Sequence, residues 1–472
     1  MEELRYSGNW EILGKEYFGN LIINDKKGII RLILHNRDNL NSLFSNKDIP
    51  SKINFIKGNL IPYGVMSLLN ATVISRNTNI SYSTKTIELN IEYCINCDFK
   101  DYNNVKFSKM VFHLSNTLAW SGLNGISTDY QKHGSFILKH KFKKAITYSI
   151  DNNTTISFVP YFHENTNIYA HEEIIIKQFV KIQITSRTNQ DLYFYIEILN
   201  KIKTLIEMSI AKNVDIREII GYKRDYYRVF ANRRMYNEIK IYSKDSYKET
   251  YEEPRINDML FDLPSTINNK VPLFQNWFLK YELLKPILNL YNSSIIYEKM
   301  PVETIFLNIV QALETYHSRF ICNKKEDYKR RVQDDILKDV PEEFKKSHYE
   351  YLFDKTQQDK NTNYIILKSR LNDLMLANFD IIFFNMSNKA FPYDFVEKVV
   401  DTRHYFTHYS KSKENKIFKG KELLFAIEIL RIVLSYYLLK EIGFEKEFVE
   451  KKIREMQTTL SYAWDLYKLE DN

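Results

Sequence analysis

A chain of 472 residues with 44% hydrophobic and 27% charged residues is too long for a single core and too apolar to be disordered, so two or three folded domains are expected. The formal net charge of +8 is compatible with a phosphate-bearing partner without requiring one. Three cysteines, Cys94, Cys97 and Cys322, exclude a disulfide framework for a protein of this size.

The opening residues, MEELRYSGNW, lack the basic start and apolar run of a signal peptide. Short alternating segments follow, among them Tyr17–Ile23, Ile29–His35, Ile87–Cys94, Val105–His113, Thr155–Phe162 and Ile174–Thr185. Polar residues at every second position predict strands with one solvated face, and Asp25–Gly28 reads as a hairpin turn. Near residue 190 the period shifts toward that of a helix. Asp191–Ile210 predicts a helix, Asp215–Gly221 a short helix at best, and Glu238–Ser243 one more strand. Glu252–Lys270, rich in Asp, Asn, Pro and Ser, is the candidate linker.

Beyond Pro272 the pattern is helical almost throughout. Helices are predicted over Phe274–Tyr291, with a kink at Pro286, and over Val302–Ile321, where Ile305, Ile309, Leu313 and Tyr316 share a stripe. Two shorter helices are predicted within Glu326–Phe353, broken at Pro341, and another over Asn363–Phe384. Asp394 is a predicted N-cap for Phe395–Phe406. Glu422–Ile442 ends at Gly443. Because it contains Glu428, Arg431, Lys440 and Glu441, a buried helix is expected there rather than a membrane span, and the protein is expected to be cytoplasmic. Glu445–Tyr467 places Val449, Ile453, Met456, Leu460, Ala463 and Tyr467 on a coiled-coil-like seam, which fits packing on its own domain or a dimer contact. The expected fold class is α+β: an N-terminal antiparallel, β-rich, sandwich-like domain over residues 1–190, a mixed connecting region over 191–270, and an all-α bundle over 271–472.

One segment concentrates reactive groups: Asp401-Thr-Arg-His-Tyr-Phe-Thr-His408. His404 and His408 share a helix face. Arg403 and His408, five apart, sit about 140° from each other on a continuous helix and converge if it frays near His408. Cleaving RNA without a metal uses the ribose 2′-OH as nucleophile. An imidazole handles the proton, and a guanidinium stabilises the charge gained in the transition state. Lys411, Lys413, Lys416, Lys419 and Lys421 follow at once, opposed only by Glu414. They form a candidate RNA-binding rim or a solvated loop.

Competing signals are weaker. Cys94 and Cys97 have the spacing of half a zinc site, without a second cysteine pair. His404 and His408 have the spacing of two metal ligands, but the glutamate of a metalloprotease helix is missing. No phosphate-cradle or nucleophile-elbow stretch occurs. Trp10, Trp120, Trp277 and Trp464 read as core rings, and His317 and Arg319 as members of a partly buried polar cluster.

Residues Asp394–Lys440, with RHYFTH, a loop and a long apolar helix, resemble the HEPN superfamily (higher eukaryotes and prokaryotes nucleotide-binding), whose signature is Arg, a polar residue, three or more residues, then His. Arg403, His404 and His408 fit it. Phe306–Phe320 resembles the earlier helix of the HEPN domain in ApeA-type anti-phage proteins, and Gly8–Asn36 the start of their N-terminal domain. The resemblance implies an abortive-infection endoribonuclease with Arg403, His404 and His408 as catalytic residues, Glu314 as an auxiliary, and no metal or cofactor. It implies pairing of two HEPN domains at a shared cleft, RNA as substrate with transfer RNA a frequent target, and a β-rich N-terminal regulator that answers a phage-derived trigger. A non-catalytic module that binds nucleotides or a partner enzyme is the alternative.

Overall fold

The computed structural model of the chain describes residues 3–24, 27–36, 49–79, 84–131, 134–165, 175–245, 254–255, 258–296, 300–338, 342–353, 364–376, 381 and 391–470. Two compact units form: one from Met1–Ile206 and Val214–Asn257, the other from Glu207–Asn213 and Asp258–Asn472.

In the first unit, strands β1 (Leu4–Ile12), β2 (Lys15–Asn24), β3 (Ile29–Asn36), β4 (Lys52–Leu60), β5 (Gly64–Asn79) and β6 (Thr84–Ile95) run in the order β6-β3-β2-β1-β4-β5. Strand β5 pairs back onto β6, so the sheet closes on itself. The expected antiparallel β-rich domain takes the form of a closed barrel, one of the two architectures that such a run of strands allows. Alternation makes it: every second side chain points inward, and Trp10, Leu21, Leu32, Ile56, Leu68 and Leu89 fill the interior. Trp10 fits because residue 58 is glycine; a Cβ there would lie 2.3 Å from the indole ring. Cys94 lies in the same core, its Sγ 3.6 Å from Met66 Sδ, and burial pushes its thiol pKa up.

The sheet continues past β6 through β16 (Ile239–Ser243), β13 (Ile216–Tyr222), β7 (Lys106–Leu114), β12 (Ile175–Asp191), β11 (Thr154–Asn165) and β10 (Ile146–Ser149). Two hairpins stand apart from it: β8 (Ile126–Tyr130) with β9 (Phe136–His140), and β14 (Tyr227–Phe230) with β15 (Arg233–Tyr236). Helices α1 (Thr117–Ser121) and α2 (Leu192–Ile210) complete the secondary structure around it. Tyr195 on α2 donates from its hydroxyl to the Phe107 carbonyl at 2.9 Å.

Two expectations for the middle of the chain are corrected. Asp215–Gly221 is not a short helix but strand β13. Ile216, Ile219 and Ile220 mimic a helical spacing, yet β7 and β16 flank the strand, and a central strand buries residues on both faces. Glu252–Lys270 is not simply a linker. Met259, Leu260 and Phe261 are buried, and Asp262 with Ser265 forms a capping box that starts α3 (Leu263–Asn268). Asp262, Ser265 and Asn269 serve as its caps. Asp25, Lys26 and Pro341 lie outside the described residues, as do the side chain of Trp464 and most of Asn363–Phe384 beyond Leu376.

The second unit is helical. Helices α4 (Leu273–Ile296), α5 (Val302–Tyr316), α6 (Lys325–Arg331), α7 (Glu342–Leu352), α8 (Leu367–Leu376), α9 (Phe391–His408), α10 (Lys421–Ile442) and α11 (Lys446–Glu470) follow α3. Helix α10 buries residues around its whole circumference and packs against α4, α5 and α11. Among the described residues no helix is long and apolar enough to cross a membrane. Gly443, at φ +105°, ends α10: its N–H reaches the Lys440 carbonyl and that of Phe444 reaches Leu439. Helix α9 begins at Phe391, so Asp394 sits in its first turn rather than at the N-cap, where its carboxylate still favours the positive end of the helix. Single π-turns follow α5 at His317–Ile321 and α6 at Val332–Ile336.

Candidate active site

Helix α9 turns Phe395, Val396, Val399 and Thr402 into the bundle, and Phe406 meets Phe306 of α5 edge to face at 6.1 Å. This fixes the helix's rotation. Arg403 is half-buried, and His404 and His408 are exposed. The two imidazole rings lie 4.8 Å apart between centroids. Among the described residues, the Arg403 guanidinium has no acidic or hydrogen-bonding partner.

The helix does not fray: it is continuous through His408 and stops at Tyr409, whose φ is +49° and whose N–H bonds the Tyr405 carbonyl at 2.5 Å. That is an αL stop built on a residue other than glycine. The anticipated convergence of Arg403 and His408 by fraying therefore does not occur. Within one chain they are separated by about 140° around the helix and roughly 7.5 Å along it. His404 and His408 are the pair brought together.

The loop from Tyr409 to Gly420 is fastened to α9. The Thr402 hydroxyl donates to the Lys398 carbonyl at 2.6 Å and accepts from the Phe418 N–H at 3.0 Å. Ile417 and Phe418 are buried, and the Phe418 ring lies under the Lys398 ammonium. Lys398 also pairs with Glu422 at 2.7 Å. Lys413 is tied to Asp401. Lys411, Lys416 and Lys419 remain exposed and without acidic partners among the described residues. Three of the five lysines of the predicted rim are thus available to an anion; Lys413 holds the loop, and Lys421 is the first residue of α10.

A second polar cluster, hardly visible in the sequence, lies inside the bundle. His317 is fully buried; its Nε2 is 3.0 Å from Asp373 Oδ2, and its Nδ1 is 3.0 Å from Arg370 Nη1. Arg331 grips both Asp373 oxygens, with Nε at 2.9 Å from Oδ2 and Nη2 at 3.0 Å from Oδ1. Arg370 can only donate, so His317 Nδ1 accepts and Nε2 carries the proton that goes to Asp373. Burial is the main influence on His317 and lowers its pKa. Burial works to raise Asp373, but hydrogen bonds from His317 and Arg331 outweigh it and hold the carboxyl below its usual range. His317, Cys322 and Asp373 bring ligand atoms within 4.8 Å of one another, yet two guanidiniums already occupy their lone pairs. A cation does not fit that donor set. Glu314 is half-buried one turn before His317, and its charge supports the Arg370 guanidinium against desolvation. Of the two residues that the sequence placed in a partly buried polar cluster, His317 is at its centre, whereas Arg319 is exposed and donates to the Leu283 carbonyl; the partners of His317 come from other helices.

The model of ApeA N-terminal domain 1 matches residues 5–277, more than half the chain, and that of Apea-like HEPN matches residues 307–448. The chain belongs to the ApeA family. No curated protein and no solved structure matches it. The ApeA N-terminal match contains the barrel and the sheet that extends from it, while the HEPN match contains α9, α10 and the cluster around His317. ApeA-type proteins are anti-phage defence proteins, and the HEPN class to which residues 307–448 belong has nuclease members.

Proposed function

We propose that this ApeA-family protein is a metal-independent RNA endonuclease of abortive infection, with Arg403 and His408 as its catalytic pair. The observation that carries this reading is a guanidinium and three loop lysines without acidic partners among the described residues, together with an exposed imidazole at the end of a packed helix beside that pinned loop. The ribose 2′-oxygen attacks phosphorus as the P–O5′ bond breaks. His408 takes the hydroxyl proton or delivers one to the leaving oxygen, and Arg403 meets the charge gathering on the phosphoryl oxygens. The products are a 2′,3′-cyclic phosphate and a 5′-hydroxyl end. DNA, lacking the nucleophile, resists. The His404 ring lies beside that of His408, 4.8 Å away between centroids and tilted by 53°, and is the proposed third member of the catalytic group.

Arg403 and His408 do not share a face of α9, so one chain supplies an incomplete site. HEPN domains commonly dimerise, and a second copy would bring the complementary groups to a shared cleft. Lys411, Lys416 and Lys419 are the proposed backbone contacts, transfer RNA the first substrate to test, and the barrel-containing unit the proposed sensor of a phage-derived trigger.

Total RNA incubated with the protein in EDTA, with the cleaved ends mapped, tests the reading. Arg403→Ala and His408→Ala are each expected to lower cleavage by at least about 100-fold with unchanged melting temperature. If both variants cut as well as the parent, α9 is a binding or pairing surface and the non-catalytic alternative holds.

A further inference from the structure

The connection between β13 and β16 is longer than a turn needs to be. It projects as the separate ribbon β14–β15, paired from Tyr227↔Tyr236 to Phe230↔Arg233 and belonging to no larger sheet. Ala231 and Asn232 make its two-residue loop, both with positive φ (+46° and +60°). Residues 223–236 carry five cations against Asp225 alone, a net +4 in a chain whose total is +8. Two of these cations hold the base: Lys223 pairs with Asp225 at 3.7 Å, and Arg224 donates to the carbonyls of Ser186 and Arg187. Among the described residues, the other three are held by no carboxylate. Arg234 lies over the Tyr227 ring at 4.8 Å, and Arg228 and Arg233 have no side-chain partner among the described residues.

Pairing sorts the ribbon into two faces. One carries Tyr227, Val229, Arg234 and Tyr236, the other Arg228, Phe230, Arg233 and Met235. Both therefore present guanidinium beside apolar surface, and at the tip Val229 is 67% and Phe230 is 70% exposed. A two-stranded ribbon on its own is marginally stable, and Val229 and Phe230 hold apolar surface in solvent at its tip.

We infer that the β14–β15 ribbon is a nucleic-acid-binding arm that inserts into folded RNA, with Arg228, Arg233 and Arg234 on phosphates and Phe230 against unstacked bases. A ribbon inside a groove meets phosphates on both sides, which accounts for guanidinium on both faces. A protein partner docked on one face would leave the other face's arginines and apolar residue in water. Loops and bulges are where RNA opens wide enough for such an element and offers bases to a ring. Preference for RNA over DNA rests on the nuclease reading; affinity for a phosphodiester backbone does not.

The test is binding of labelled transfer RNA by the full chain carrying His408→Ala, so that cleavage cannot distort the measurement. Affinity is measured between about 50 and 200 mM salt, with and without Arg228→Ala, Arg233→Ala and Arg234→Ala combined. Each phosphate contact contributes about 0.7–0.9 to the slope of log affinity against log salt, so losing three lowers the slope by about 2 to 3. The salt-induced loss over this range becomes about 20- to 40-fold smaller. The triple Arg→Lys variant keeps the slope, and Arg228→Gln with Arg233→Gln shows about two thirds of the triple alanine variant's reduction. Unchanged affinity and slope in the alanine variant overturn the arm. So does displacement of the RNA by polyglutamate as readily as by unlabelled RNA. Failure of the nuclease reading would show separately, as wild-type protein that binds RNA and leaves it intact.

Discussion

His317 shows how a single side chain is given its chemical state by its neighbours. It is clamped between a carboxylate on one ring nitrogen and a guanidinium on the other, and burial keeps it neutral. Its folded pKa lies below the ordinary value of about 6.5, so the unfolded chain binds the proton more readily. The stability it contributes is complete above about pH 6.5 and declines as the pH falls below that. The helical unit is therefore expected to melt at a lower temperature near pH 5.5 than near pH 7.5, and His317→Gln is expected to flatten that dependence. Asp373, whose carboxyl is held low, adds to acid sensitivity only at pH values below about 4. Thermal melting of both proteins across this range checks the sign; a slope equally steep in the variant would place the sensitivity elsewhere. The pairing could not be read from the sequence, because Arg331 comes from α6 and Arg370 and Asp373 from α8, far along the chain from His317.

At the scale of elements, helix ends position the chemistry. Two stops frame the candidate site's surroundings, and they differ in kind. Tyr409 ends α9 in a conformation that costs a side chain, whereas Gly443 ends α10 in one that only glycine adopts freely. At Gly443 a Cβ would also approach Asn276 Nδ2 to 2.4 Å, and Asn276 donates to the Ile442 carbonyl at 2.7 Å. Gly443→Ala is expected to destabilise the helical unit by about 1–3 kcal/mol, seen as a lower denaturation midpoint at unchanged slope. A midpoint equal to wild type would mean the stop is supported by α11 instead. The stop at Gly443 was legible in the sequence, since a glycine closing a long apolar run has a known mechanism. The stop at Tyr409 was not, because no propensity rule predicts a left-handed tyrosine. For the same reason the anticipated fraying of α9 did not materialise. The Thr402 hydroxyl and the packed Phe418 hold the loop against an intact helix end.

For the whole molecule, the proposed chemistry demands more than one chain. Arg403 and His408 face apart on α9, so cleavage per mole of protein is expected to rise with protein concentration through the range in which dimers form. Specific activity measured alongside sedimentation tests this, and constant activity across the monomer-to-dimer range would require both groups to act from one subunit. The α+β class, the buried α10 and the RHYFTH segment were written in the sequence alone. Periodicity reports which side of an element meets a core, and short-range spacing reports what a single helix can carry. The closed barrel, the strand at Ile216–Tyr222, the ribbon with its unpaired arginines and the buried His317 cluster were decided only in three dimensions. Each depends on residues far apart in the chain, and spacing along a sequence carries no measure of which distant groups will meet, or which charges will be left without a partner.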